Sequence, residues 1–390
     1  MMNWYIPGMG YQENYLPAEQ QLLGHEVSII TSDRIPLFDG YENNVGNLIP
    51  NRVIGTGEYR DGDIVVHRLP TICEVNDGGL IVYSGLMNLL TELKPDVVHA
   101  HGPYNPSTLL SILHSRKRDY KIFIDDHSNE QNYHLNTISK RLYINLVKSF
   151  YTCFGKKVAV WMPIDEPAKK IIQANFGIPD ENVRVIPLGI NTRRFHQSKE
   201  MRNETRRSLS IEEDECLIVT AGKLDESKDI DVLLMAFIKV LERTGKIKLL
   251  IVGGGSALYM EKLHEIALKS SAEGSVIFMD FVSNEKLPNL FNAADIGVWP
   301  GTPTITAVEA LATGLPIIIP MDYLSYERHL DNRAALGFRK NDIVSLVDSI
   351  TSLVIDSQLR TRLSNNAIIL AKEQLSWAKI AQDCINIYTA

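Results

Sequence analysis

Residues 248–252 read Lys-Leu-Leu-Ile-Val, and three glycines follow. A run that is apolar at nearly every position leaves no face for water. It predicts a strand covered on both sides, as in a parallel sheet between helix layers. Comparable runs recur along the chain, and strands are expected at 2–6, 26–31, 64–69, 97–100, 121–124, 157–161 and 183–187, then at 216–221, 248–252, 276–279, 296–298 and 316–319. Helical periods fill the intervals, as at 229–244, 257–271 and 343–352. Strand–helix alternation on this scale predicts an α/β architecture of doubly wound parallel sheets.

The alternation restarts near the middle. The stretch 191–214 is polar and charge-dense, holds no strand-like run, and reads as a linker. Two Rossmann-like domains are therefore expected, at 1–190 and 191–375, with ligand in a cleft at the C-terminal ends of both sheets. A length of 390 residues suits two cores. The net charge of −7 offers no global basic field for nucleic acid. Cys73, Cys153, Cys216 and Cys384 are scattered without a metal spacing, which fits buried small hydrophobes in a reducing compartment. No apolar run approaches the ~20 residues of a membrane span. The first residues lack a basic segment and a long apolar one, so no secretory signal and a cytoplasmic location are expected.

Several loops after strands could carry chemistry. Pro7-Gly8-Met9-Gly10 allows a tight turn and close backbone approach to an anion, although a dinucleotide fingerprint would need a third glycine and Pro17 interrupts the helix that follows. A plain strand–helix turn fits it too. Val98-His99-Ala100-His101 and Asp125-Asp126-His127 close two strands. His127 could donate a hydrogen bond or move a proton, or be satisfied by local backbone. His99 and His101 share one strand face, but no third ligand follows at a metal spacing, so no metal is expected. Ala221-Gly222-Lys223 and Lys228 place two ammonium groups beside a helix start, suited to a diphosphate and equally to a solvated loop. The run Gly253-Gly254-Gly255 lacks the Gly-Lys-Ser/Thr ending of a P-loop. Glu309 lies among apolar neighbours on a short helix that Gly314 ends, where a carboxylate could grip a ribose diol.

Taken in order, these pieces resemble the retaining nucleotide-sugar glycosyltransferases of family 4 (glycosyl transferases group 1), which have the GT-B fold. The resemblance runs through the Gly8/Gly10 loop, Leu23-Gly24-His25-Glu26-Val27, Asp96-Val97-Val98-His99-Ala100-His101, Asp126-His127, Ile186-Pro187-Leu188-Gly189, Gly222-Lys223-Leu224 with Lys228, Ile251-Val252-Gly253-Gly254-Gly255, Ala293-Ala294-Asp295, and Val308-Glu309-Ala310-Leu311-Ala312-Thr313-Gly314-Leu315-Pro316. Ser376-Trp377 then precedes a helix, 376–390, that looks like the family's crossover onto the first domain.

The resemblance implies roles. Lys223 and Lys228 would hold the donor diphosphate, where the family usually has Arg and Lys. Glu309 would bind the ribose, and Thr304 and Ile305 belong to the same donor loop. His127 would stand near the donor sugar, and Gly8 and Gly10 near the diphosphate and acceptor. Phe281, Val282 and Leu287 would cradle the base. His127, Lys223 and Lys228 are the expected catalytic residues. The donor would be a UDP- or GDP-sugar, with no obligatory cofactor. One position departs: the first Glu of the family's Glu-x7-Glu falls at 301, and here it is Gly301. That leaves an unusual donor sugar, a carboxylate from elsewhere such as Glu13, or weakened catalysis. The implied reaction is attack by an acceptor hydroxyl on the face of the departing diphosphate, which takes the proton, in polysaccharide, glycolipid or cell-envelope glycan synthesis.

Residues 111–160 carry nine basic and four acidic side chains, net +5 in a −7 chain. Tyr143, Leu146, Val147, Phe150, Tyr151 and Phe154 interleave with them in a helical stretch that could dock on anionic lipid or simply be a buried face fringed by solvated lysines. Docking would favour a lipid-linked acceptor and a peripheral place on the inner membrane face. A nucleotide-sugar binding protein that has lost catalysis, and a nucleotide-sugar epimerase, are the competing functions.

Overall fold

The computed structural model describes residues 1–35, 51–75, 80–128, 138–270, 272, 274–302 and 304–390. These divide into two units: Met1–Leu188 with Ile380–Ala390, and Gly189–Lys379.

The second unit carries one six-stranded sheet. Its strands are β9 (Cys216–Ala221), β10 (Ile247–Val252), β11 (Val276–Met279), β12 (Ile296–Val298), β13 (Ile317–Pro320) and β14 (Ala335–Phe338). Every pairing is parallel, in the order β11-β10-β9-β12-β13-β14. The apolar runs explain this. Leu217, Val219, Leu250 and Val252 enter one core, while Ile218, Leu249 and Ile251 enter another on the opposite face. The chain winds outward from β9 to β11, then returns and winds the other way from β12. The order therefore reverses between β9 and β12, where a doubly wound sheet opens a crevice at its C-terminal edge.

The first unit is built from shorter pieces. Strands β1 (Ser28–Ser32), β2 (Gly57–Asp61) and β3 (Ile64–Leu69) form one sheet, with β1 and β3 parallel and β2 antiparallel to β3. Strands β6 (Val97–His101), β7 (Lys121–Asp126) and β8 (Val158–Pro163) form a parallel sheet, and β4 (Thr71–Val75) pairs with β5 (Leu80–Tyr83) as a hairpin. The strand expected at 2–6 is not a regular one. Instead, Met2 N donates to Ile30 O at 3.0 Å, Ser32 N donates to Asn3 O at 3.3 Å, and His101 N donates to Met1 O at 2.9 Å. Residues 1–3 thus link β1 to β6 before Pro7 ends any ladder.

Other expectations are also corrected. Residues 183–187 form only a bridge from Val183 to Trp161, followed by Arg184 N to Trp161 O and Ile186 N to Pro163 O. Pro17 lies inside the helix Gln12–Leu22 without stopping it. The polar stretch 191–214 holds the helix Lys199–Ser208 rather than a linker. Its arginines are structural: Arg202 and Arg206 reach Asp295 at 2.6 and 3.1 Å and cap the carbonyls that end the helix Leu287–Ala293. The helix Trp377–Thr389 begins in the second unit, where Trp377 N donates to Ile190 O at 3.1 Å, and its residues from Ile380 belong to the first.

Candidate active site

At the reversal point of the second sheet, the loops after β9 and β12 face each other across a pocket. It is lined by Gly222, Lys223 and Lys228 from one side and Trp299, Gly301, Thr302 and Thr304 from the other. The β9 loop is held by the glycine run. Leu224 N donates to Gly254 O at 2.9 Å, and a Cβ on Gly253 or Gly255 would stand 1.9 Å from the carbonyl oxygen of Gly222 or Leu224. Those glycines are needed for backbone packing.

The two lysines differ. Lys223 is 64% exposed, with its Nζ 3.6 Å from Asp225. Lys228 is half-buried and donates to Thr302 Oγ1 at 2.7 Å and Thr302 O at 3.2 Å. Burial pushes its pKa down, Asp225 partly opposes this, and Lys223 adds to it. Opposite them, Thr304 stands at the N-cap position of the helix Ile305–Ala312 without a side-chain cap bond, and its Oγ1 lies 3.1 Å from Thr306 Oγ1. Thr306 Oγ1 and Trp299 Nε1 both donate to Ala221 O, at 2.6 and 2.9 Å, which joins the two loops. A Cβ at Gly301 would fall 2.3 Å from Ser227 O and 2.4 Å from the Lys228 backbone. Position 301 has room for no side chain at all, and the space belongs to the turn that carries Lys228.

Glu309 is 4% exposed. Its Oε1 accepts from Asn284 Nδ2 at 3.0 Å, and Arg194 donates to Asn284 Oδ1 at 2.8 Å. Its Oε2 is buried without a hydrogen-bond donor. Burial pushes the carboxyl up to about 7, against Asn284 and Arg194. Asn284 and Arg194 escaped the reading of the sequence, since each belongs to a polar loop with no periodic signal. Of the residues expected at the base, Phe281 is 63% exposed, Val282 packs against the core and Leu287 is buried within it. Neither these three nor Ile305 and Glu309 line the pocket that holds the lysines.

The first unit gathers a different set. Gly8 and Gly10 have φ of +70° and +82°, and Asn14 fastens their turn by accepting from Gly10 N at 3.0 Å and donating to Ile6 O at 2.9 Å. At the ends of β6 and β7, Asp125 Oδ2 meets His101 Nδ1 at 2.7 Å, His99 Nε2 at 3.2 Å and His127 Nε2 at 3.6 Å. Gln12 Nε2 donates to the same oxygen at 2.7 Å. The third group that spacing alone could not supply to His99 and His101 is thus Asp125, from the neighbouring strand. The two imidazoles lie stacked, 10° from parallel, their ring nitrogens and the Asp125 oxygen fall within 4.8 Å of one another, and that oxygen accepts from Gln12. The set is a cluster of close polar contacts in which Gln12 donates to Asp125 and His99 Nε2 makes no hydrogen bond. Burial pushes Asp126 up to about 7, and its carboxylate accepts from Ser128.

Comparison with known proteins agrees with both halves. The model of Glycosyltransferase Family 4 matches residues 15–194, and that of Glycosyl transferases group 1 matches residues 201–369. The chain belongs to the family-4, group 1 glycosyltransferases. It is 25% identical over 383 residues to an alpha-monoglucosyldiacylglycerol synthase of Acholeplasma laidlawii, covering 94% of this chain and 89% of that one. It is 29% identical over 232 residues to an uncharacterized glycosyltransferase of Methanocaldococcus jannaschii, spanning 58% of the length of each. Among solved structures it resembles Anabaena HepE in complex with UDP, with a TM-score of 0.73 at 14% identity, covering 100% of this chain and 98% of that one. The fold of this glycosyltransferase is therefore GT-B, with two Rossmann-like domains.

Proposed function

We propose that this glycosyltransferase moves a sugar from a nucleoside diphosphate sugar to an acceptor hydroxyl with retention at the anomeric carbon. The observation that carries the donor assignment is the pairing of Lys223 and Lys228 with the N-terminus of the helix Ile305–Ala312 at the reversal point of the sheet. Two ammonium groups and free backbone N–H donors suit a diphosphate, whose charge rises as the glycosidic bond breaks. Lys228 shares its ammonium with Thr302 and is oriented before ligand arrives. Glu309, with one buried oxygen lacking a donor, suits the ribose diol, and Asn284 holds its other oxygen. The acceptor O–H forms the new bond to the anomeric carbon, the bond to the β-phosphate oxygen breaks, and that oxygen takes the proton. His127 is assigned to the donor sugar by its place in the family motif. Gly8 and Gly10 are assigned to close backbone approach, and Phe281, Val282, Leu287, Thr304 and Ile305 to the base and donor loops.

UDP-glucose is the first donor to test, because the structurally similar HepE is known with UDP and with UDP-glucose. The acceptor is read as a glycolipid or lipid-linked glycan. The helix Ile138–Phe154 supports this: Ile138, Leu142 and Leu146 are exposed at a four-residue spacing, while Val147 and Tyr151 on another face are buried. Lys140, Arg141 and Lys148 accompany that apolar ridge, a combination suited to an anionic interface. Among the described residues no helix is long and apolar enough to cross a membrane. The synthase of Acholeplasma laidlawii, by its name, makes a glucosyldiacylglycerol.

Gly301 favours one second reading, a nucleotide-sugar binder with little turnover, because the backbone leaves no room for the family's Glu. The experiment is a donor panel scored twice: thermal stabilisation by each nucleotide sugar, then release of nucleoside diphosphate with diacylglycerol-type and soluble glycan acceptors. Stabilisation with acceptor-dependent release supports transfer. Stabilisation without release on every acceptor supports the second reading.

A further inference from the structure

The cluster around Asp125 has one open member. Asp125 is 2% exposed, and its Oδ2 is met by Gln12, His101, His99 and His127. His99 and His101 are mostly covered, whereas the His127 side chain is 42% exposed. Behind the cluster, the Tyr388 hydroxyl lies 2.6 Å from His99 Nδ1, and Gln20 Nε2 reaches that hydroxyl at 3.4 Å. Tyr388 comes from the last helix, Trp377–Thr389, and its ring also lies against Phe123 on β7, with centroids 4.7 Å apart.

A buried carboxylate is costly to desolvate and is rarely the best way to fill a core. Here it is fixed from behind by an amide and two imidazoles, and the ring it leaves open turns its Nε2 edge inward. A charged oxygen behind an exposed imidazole selects the tautomer that donates inward and leaves the other nitrogen for whatever arrives outside. We propose that Asp125 is the positioning residue for His127: its carboxylate fixes the Nε2 edge of the exposed imidazole, and Tyr388, through His99, holds that carboxylate in place. This rests on the reading of His127 as a donor-sugar residue.

The charges around the ring act in the same direction. Burial lowers the His127 pKa, but Asp125, then Asp126 and Glu13, more than offset it, so it lies above its ordinary value. Burial raises Asp125, and His101, His127 and His99 outweigh that, so it stays ionised. His101 is pushed down to about 4, chiefly by burial, against Asp125. The Met1 amine donates to the His99 carbonyl at 2.7 Å.

The test compares wild type, Asp125→Asn and His127→Gln by NMR of histidine-labelled protein, the last variant assigning the His127 signals. In folded Asp125→Asn, the His127 pKa should fall by about one unit or more, and its single tautomer should become a mixture. With UDP-glucose, kcat should drop at least about tenfold, while the Kd for UDP, measured by calorimetry, stays unchanged. An unshifted His127 titration with one unaltered tautomer in folded Asp125→Asn would overturn the proposal. If His127→Gln keeps wild-type turnover while Asp125→Asn still shifts the ring, the donor-sugar reading fails and the positioning stands. If Asp125→Asn does not fold, Tyr388→Phe and Gln12→Leu carry the test. A smaller shift in the same direction in both supports the proposal, and no shift in either overturns it.

Discussion

Among the described residues, the six strands of the second unit share one parallel ladder, whereas the eight of the first unit are spread over three short sheets, with residues 1–3 bridging two of them. The chemistry divides along the same line. The second unit presents lysines, hydroxyls and a helix start around its pocket, with Glu309, pushed up to about 7, outside that lining. The first gathers histidines and carboxylates that exchange protons with one another. An uninterrupted sheet gives a reversal point whose loops are placed by backbone hydrogen bonds, as Gly222–Leu224 is placed by Val252 and Gly254. A fragmented sheet relies on side-chain contacts, and its buried polar cluster does part of the work of joining β6, β7 and the last helix.

The comparison can be strained first at the cores. Trp161 is 1% exposed and packs against Tyr151 and Phe176. Trp161→Ala should remove about 3–5 kcal/mol from the first unit. If the two units are energetically separate, calorimetry should show an early transition for the first while UDP still raises the second. A single concerted loss would show that the two are coupled in stability.

Next comes a pH effect at Glu309. Glu309 has a folded pKa of about 7 against a reference of 4.5, so between those values the folded protein binds more protons than the unfolded chain. The Glu309 contribution to stability should therefore fall as pH rises from about 4.5 to about 7 and level off above, by about 3 kcal/mol at most, while Asp126 acts in the same direction and the depressed His101 and His329 oppose it. Glu309→Gln should lose less stability than wild type in urea titrations across that window. An identical slope in the variant would assign the effect to another group. Because the ribose diol is read as binding the ionised form, UDP affinity should also weaken below about pH 7 in the wild type alone.

Gly301→Ala follows in size. The added Cβ meets backbone at 2.3–2.4 Å, so the Lys228 turn must move, at a cost of about 1–3 kcal/mol. UDP binding should weaken with it. Unchanged melting and binding would mean that the turn has slack the packing does not show. The smallest effect belongs to the first unit's surface. Leu146→Ser, at a side chain that is 66% exposed, should leave melting unchanged and reduce co-sedimentation with anionic vesicles several-fold. Equal sedimentation would remove the lipid-docking reading of the helix Ile138–Phe154.

How much of this could be read from residue order follows from the same contrast. The runs at 216–221, 276–279 and 296–298 coincide with β9, β11 and β12, because burial on both faces writes an unbroken apolar signal. Strands β2 and β4 escaped it: Gly57–Asp61 and Thr71–Val75 are largely exposed and carry Glu, Arg and Asp as often as apolar residues. The arginines of 199–208 read as a linker because their partners, Asp295 and the carbonyls of 293–294, lie some ninety residues away. Lys223 and Lys228 were legible because they lie in the loop after β9, and Glu309 because it is a carboxylate among the apolar residues of the helix Ile305–Ala312. Asp125 was visible as a residue, but its three imidazole neighbours were not, since β6 and β7 come together only in the fold. Gln12 and Tyr388 lie 376 residues apart, and no spacing rule joins them.

The central claim is that the lysine pair of the second unit holds the leaving diphosphate. The direct measurement is UDP release from UDP-glucose, with acceptor present, for wild type and Lys228→Ala, beside calorimetric binding of UDP to each. The account predicts at least a hundredfold loss of turnover, about 2.7 kcal/mol of transition-state stabilisation, with a smaller loss in UDP affinity and an unchanged melting profile of the first unit. Wild-type turnover in Lys228→Ala would contradict it.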